Sequence, residues 1–127
     1  MIEIEFVDGP FDVIVTTFGR VAIAELIEAD HVMRADPRFR PGVNVLYDHS
    51  RLEPQGQGTG EAMRELADVD NRPDAHALVG HVAVVASHDL VFGLGRMWLA
   101  HLDPEIQQRR TLVRSVDEAY AWLAEQT

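Results

Sequence analysis

The sequence predicts a single α/β domain with a mostly parallel five-stranded sheet packed with helices, in the order β-β-α-β-α-β-α-β-α. Three observations predict it. The first is a proline-punctuated turn, Asp36-Pro37-Arg38-Phe39-Arg40-Pro41-Gly42, feeding the apolar run Val43 to Tyr47 and stopping on Asp48. Near-continuous apolar character marks a strand buried on both faces, as parallel strands are. The second is a hairpin pattern at the N-terminus. The third is Ser115-Val116-Asp117-Glu118, a capping box that opens a last helix directly after an apolar segment. At 127 residues the chain matches the length of one domain with one core.

Each element follows from its local pattern. Ile2 to Val7 alternates acidic and apolar residues, Asp8-Gly9-Pro10 supplies a turn, and Phe11 to Phe18 returns rich in β-branched residues, which gives a β-hairpin. From Val21 to about Ala35, Ile23, Leu26, Ile27, Ala29, Val32 and Met33 recur at helical spacing until Pro37 ends the helix. Val43 to Tyr47 is the third strand. The segment from Glu53 to Gly60 carries glycine at 56, 58 and 60 and reads as a loose loop before a short helix through Met63, Leu66, Ala67 and Val69. It lacks the Lys-Ser/Thr ending of a phosphate-binding loop.

Asn71-Arg72-Pro73-Asp74 turns the chain into a fourth strand, Ala77 to Ala86. Ser87-His88-Asp89 offers a cap for a helix over Leu90–His101. Leu112 to Arg114 belongs to the fifth strand, and the final helix carries Ala119, Tyr120, Trp122 and Leu123.

Composition excludes several classes of function. The chain has 21 acidic against 11 basic residues, a formal charge of −10, which repels nucleic acid over the whole surface. Arg34, Arg38 and Arg40 cluster around the proline turn, where they can pair with acids of neighbouring segments. The absence of cysteine removes disulfides, thiolate nucleophiles and cysteine metal sites, and fits a reducing cytoplasm. No basic-then-apolar leader begins the chain, so a cytoplasmic location is expected. Val82 to Leu102 is apolar but interrupted by Ser87, His88, Asp89, Arg96 and His101, so no transmembrane segment is expected.

The Asp36-Pro37 to Pro41-Gly42 turn with its strand ending on Asp48, the run Val91-Phe92-Gly93-Leu94-Gly95-Arg96-Met97, and Glu118-Ala119-Tyr120-Ala121-Trp122-Leu123 near the end stand in a set order. In these pieces and in element order the chain resembles the SpoIIAA-like branch of the STAS domains, the family of anti-sigma-factor antagonists and sulfate-transporter tails. The resemblance implies a non-enzymatic, regulatory module that docks on partner proteins and needs no cofactor. In some members a serine at the start of the helix after the third strand is phosphorylated. The Asp-Ser-Ser-Gly run of the regulatory members is absent, and the nearest equivalents are Thr59 and Ser50. A phosphate at a helix N-terminus is favoured by free N–H groups and the helix dipole; an ordinary cap explains the threonine as well.

Two further readings compete. The Leu90–His101 helix holds more large apolar residues than one buried stripe accommodates, and Gly93 and Gly95 permit close approach. Phe92, Met97 and Trp98 are therefore candidates for a partner surface, a homodimer contact, or a small apolar or lipid-like ligand held against the sheet, which would make the chain a carrier or sensor. The other reading is chemical. Asp48, His49 and Ser50 after the third strand and Ser87, His88 and Asp89 after the fourth could meet at one edge of a parallel sheet, as a metal site or a hydrolase constellation. No Gly-x-Ser-x-Gly elbow and no His-x-x-x-His pair supports it, and Asp and Ser are ordinary helix caps. His31, His76, His81 and His101 read as surface or strand-edge residues, with a hydrogen-bonded core position as the alternative for His81.

Overall fold

A computed structural model of the chain describes residues 1–53, 60–76 and 79–126. Five strands form one mixed sheet in the order β1-β2-β3-β4-β5: β1 (Ile2–Phe6), β2 (Val13–Gly19), β3 (Val43–Leu52), β4 (Val79–Val85) and β5 (Arg110–Val113). β1 runs antiparallel to β2, and the remaining neighbours pair in parallel. The helices are α1 (Ile23–Ala35), α2 (Gly60–Asp70), α3 (Pro73–His76), α4 (Asp89–Ala100), α5 (Pro104–Gln107) and α6 (Val116–Ala124).

Alternation along the strands sorts side chains onto two faces. Val13 and Val15 of β2, Val43 and Val45 of β3, and Val82 and Val84 of β4 form one core with Met33 of α1, Met63 and Ala67 of α2, and Trp98 of α4. Leu46, Ala83 and Val85 form the other with Ala119 and Leu123 of α6 and with Phe11, whose ring meets Tyr120 edge-on at 5.1 Å. This division follows from the strand order. When each parallel strand lies beside its predecessor on the same side, right-handed crossovers carry every connecting helix to one face.

The element order expected from the sequence is revised at several points. α3 and α5 are additional, and each begins on a proline, Pro73 and Pro104. Proline's fixed φ and missing N–H suit the first helical residue as well as a break. β3 runs on to Leu52, so Asp48, His49 and Ser50 lie within the strand and not after it. The extension is held by parallel pairing with β2 as far as Gly19 opposite Leu52, past an irregularity between Thr16 and Phe18. Ser50 therefore does not stand at a helix start, and its N–H donates to Asp48 Oδ1 at 3.0 Å. Thr59 lies outside the described residues.

The caps divide. Ser115 Oγ accepts from the Glu118 N–H at 3.2 Å, as the capping box requires, while Glu118 accepts from the Arg114 N–H at 3.4 Å. α4 starts without a side-chain cap at His88. Ser87 and Asp89 instead engage Arg114: Ser87 Oγ donates to its carbonyl at 3.2 Å, and its guanidinium donates to Asp89 Oδ1 at 2.7 Å. Among the described residues no helix is long and apolar enough to cross a membrane.

Candidate functional site

The helices over the first face do not close completely on it. α2 packs mainly on α4 and only lightly on α1. A cavity of about 290 Å³ remains between these helices and the sheet. Val45, Tyr47, Val82 and Val84 floor it; Leu26 and Ile27 of α1, Leu66 and Val69 of α2, and Leu94 and Trp98 of α4 wall it. Exposed Ala22 and Glu53 mark its rim. Ile23, Leu26 and Ile27 are only half-buried although they lie on the inner side of α1, because they face this space and not a packed neighbour. Met33, further along the same helix, is fully buried.

The apolar wall carries a small set of polar groups, each placed by a definite contact. Tyr47 shares the inner face of β3 with Val45, and its hydroxyl reaches Asp30 Oδ1 over a long 3.4 Å. Asp30 is itself paired with Arg34 one helical turn on, Nε to Oδ2 at 2.9 Å. Asp70 ends α2. The next residue, Asn71, donates to the His101 carbonyl at 3.0 Å and accepts from the Asp103 N–H at 2.9 Å, tying the end of α2 to the end of α4. That clamp sets Asp70 Oδ2 against the Trp98 indole N–H at 2.8 Å. Arg110 opens β5, is 7% exposed, and donates to the carbonyls of Gly80 at 3.3 Å and Arg109 at 3.2 Å.

Burial dominates the titration of this set. It pushes the Asp70 carboxyl up, against the Trp98 hydrogen bond and the Arg110 charge. It pushes the Tyr47 phenol well above its ordinary value, and Asp30 and Asp70 add to the effect. It lowers the Arg110 guanidinium, which the Asp70 charge partly restores.

His49 also lines the cavity, with Nδ1 in a 2.8 Å hydrogen bond to the buried Thr17 hydroxyl. Burial lowers its pKa to about 4, with the Asp48 charge opposing. The unfolded histidine titrates near 6.5. Between those values the unfolded chain takes up a proton that the folded chain refuses, so this residue's contribution is present above about pH 6.5 and is lost as pH falls toward 4. The loss amounts to at most about 3 kcal/mol. Asp70, whose carboxyl is raised, acts with the opposite sign. His49→Gln, which keeps a hydrogen-bonding group beside Thr17, is expected to flatten the decline of Tm between pH 6.5 and 5; an equally steep decline in the variant would show that the slope originates elsewhere.

The residues singled out from the sequence separate. Trp98 lines the cavity, 9% exposed. Phe92 does not; its half-buried ring lies under the Arg114 guanidinium at 3.9 Å. Met97, 40% exposed, sets its terminal methyl beside Gly60 at the start of α2, and Leu90, two turns earlier, is 45% exposed. Gly95 provides the close approach expected of it: a Cβ there would stand 2.8 Å from Leu112 Cδ1. His49 sits inside the cavity wall and His88 is exposed at the head of α4, and no group of three or more potential metal ligands exists among the described residues.

Around the proline turn, Arg34 pairs with Asp30, and Arg38 pairs with Asp36 at 2.9 Å while lying over the Phe6 ring at 4.4 Å. The Arg38 contact holds the Asp36 carboxyl down at about 2.

Sequence reasoning passed over Tyr47, Asp70 and Arg110, which are far apart in the chain. One signal pointed to them: a tryptophan on the inner side of an apolar helix needs an acceptor for its indole N–H. No protein-family model and no curated protein matches this chain.

Proposed function

We propose that this chain is a non-catalytic STAS-like module, and that it works as a carrier or sensor of a small, mostly apolar molecule held between the sheet and α1, α2 and α4. The cavity carries the reading. Protein interiors are packed with few voids larger than a water molecule. Apolar side chains of three helices line it and stay half-buried, so an apolar occupant that covers them is favoured by roughly 25 cal/mol for each Å² of apolar surface removed from water. An apolar wall with a few convergent polar groups is the usual form of a small-molecule site. A cytoplasmic setting belongs to the same reading, supported by the lack of cysteine.

The neutral dye prodan, whose emission shifts blue in apolar surroundings, tests it. The parent is expected to bind and shift the dye, and Leu94→Trp or Val69→Phe, each adding bulk from a helix into the cavity, is expected to abolish the shift while the circular dichroism spectrum is retained. No shift in the parent, or an undiminished one in both folded variants, would overturn the reading.

Protein docking is the second reading, supported by Leu90 and Met97, both exposed on α4. Leu90→Glu with Met97→Glu is expected to abolish capture of a partner from host extract without changing dye binding.

A further inference from the structure

The charges around the cavity cancel. α1 contributes Asp30 and Arg34, an ion pair with both side chains largely out of water. α2 contributes Asp70 and β5 contributes Arg110, one charge of each sign in the same lining without a direct ion pair between them. β3 contributes Tyr47 and His49, both neutral at pH 7 because burial opposes their ionisation. At the rim Glu53 pairs with Arg20 at 3.7 Å. An ion entering this space would give up its water without finding an unbalanced counter-charge.

Two polar atoms are nevertheless open to an occupant. Asp70 Oδ2 is taken by Trp98, while Oδ1 has no hydrogen-bond partner among the described residues. Every fully buried side-chain nitrogen or oxygen among them is hydrogen-bonded, so Oδ1 keeps some accessible surface, on a residue that lines the cavity. The Tyr47 hydroxyl makes one long contact, to Asp30, and a phenol can both donate and accept.

We propose that the cavity selects a neutral amphiphile, with a body of about ten carbons or two fused rings and one hydroxyl-type end that bonds Asp70 Oδ1 and the Tyr47 hydroxyl, and that it discriminates against fatty acids and amines. The size follows from the volume, since a cavity of about 150 Å³ accepts one benzene. A hydroxyl, donor and acceptor at once, meets both atoms. The assignment rests on the binding function proposed above and adds the chemistry of the ligand's end.

Competition for bound prodan at pH 7.5 among nonane, nonanol, nonanoate and nonylammonium, which share one chain length, tests it. Nonanol is expected to displace the dye at least tenfold more effectively than either ion and several-fold more effectively than nonane. Tyr47→Phe is expected to reduce the advantage over nonane. Asp70→Asn leaves Arg110 without its counter-charge and is expected to strengthen nonanoate about tenfold, an effect that a merely structural role for Asp70 would not produce.

Nonanoate or nonylammonium equal to nonanol in the parent would overturn the assignment. So would nonane equal to nonanol, or an unchanged order of ligands in both folded variants. So would displacement by none of the four compounds; in all these cases the binding function stands on the dye shift itself.

Discussion

Replacing Arg110 with methionine is expected to lower stability by about 2 to 3 kcal/mol, because the Gly80 and Arg109 carbonyls lose a charged donor and Asp70 loses a positive charge that favours its ionised form. The guanidinium is buried in the sheet edge and faces the cavity, where Asp70 is the acid that most strongly sustains its charge. Methionine fills a similar volume, so the loss divides between the two carbonyls that lose their donor and the Asp70 carboxylate that loses a favourable charge. Asp70→Asn in the same chain is then expected to recover the second part only, because an amide at this position still accepts from Trp98 and carries no charge. Urea denaturation of the two single variants, the double variant and the parent closes the cycle. A double variant no more stable than Arg110→Met would show that the two groups do not act on one another.

A second large effect is expected at Gly80, in β4. A Cβ there would stand 2.7 Å from Asn44 Oδ1, 2.7 Å from the Gly42 carbonyl oxygen and 3.2 Å from that of Val43. Two of these atoms are backbone and cannot swing away. Asn44 is also engaged, its side-chain oxygen accepting from the His81 N–H at 2.9 Å and its own backbone N–H donating to Asp12 Oδ2 at 2.8 Å, so that β3 is tied to β4 and to the residue before β2 at one end of the sheet. Gly80→Ala is therefore expected to cost about 2 to 4 kcal/mol through forced separation of β3 from β4. The midpoint of denaturation should fall with little change in slope, and Asn44→Ala should not rescue it, because the Gly42 carbonyl remains. A midpoint within error of the parent would show that the strands part at little cost.

The sequence was most readable where local chemistry and tertiary structure agree. Asp8-Gly9-Pro10 between two β-rich runs gave the hairpin, and Ser115 with Glu118 gave the start of α6, since turn and cap preferences act within a few residues. Readability failed where tertiary pairing overrides propensity. Asp48, His49 and Ser50 read as a polar exit from a strand, yet β2 lies alongside and the Thr17 to His49 hydrogen bond holds the strand in line. Pro73 reads as a turn former because the same ring that breaks a helix also starts one.

The surplus of apolar residues on the fourth helix was legible, but its distribution was not. Trp98 turned inward to Asp70, Phe92 was covered by Arg114, and Met97 stayed exposed. Asp70 and Arg110 carry no local signal that marks them. Their burial depends on the clamp at Asn71 and on the register of β5 against β4, neither of which is written locally.

The sequential strand order also bears on how the molecule comes into being. Each strand pairs with the one made just before it, so a chain leaving the ribosome can add every new strand to an edge that already exists, with no strand waiting for a distant partner. The helices of the first face arrive between the strands they cover. α6 comes after all five strands, and until it docks, Leu46, Ala83 and Val85 lack the side chains of Ala119 and Leu123 that pack on them. The second face is thus the one open to chaperones and to misassembly during synthesis, and the capping box at Ser115 stands where a fast-forming helix shortens that interval.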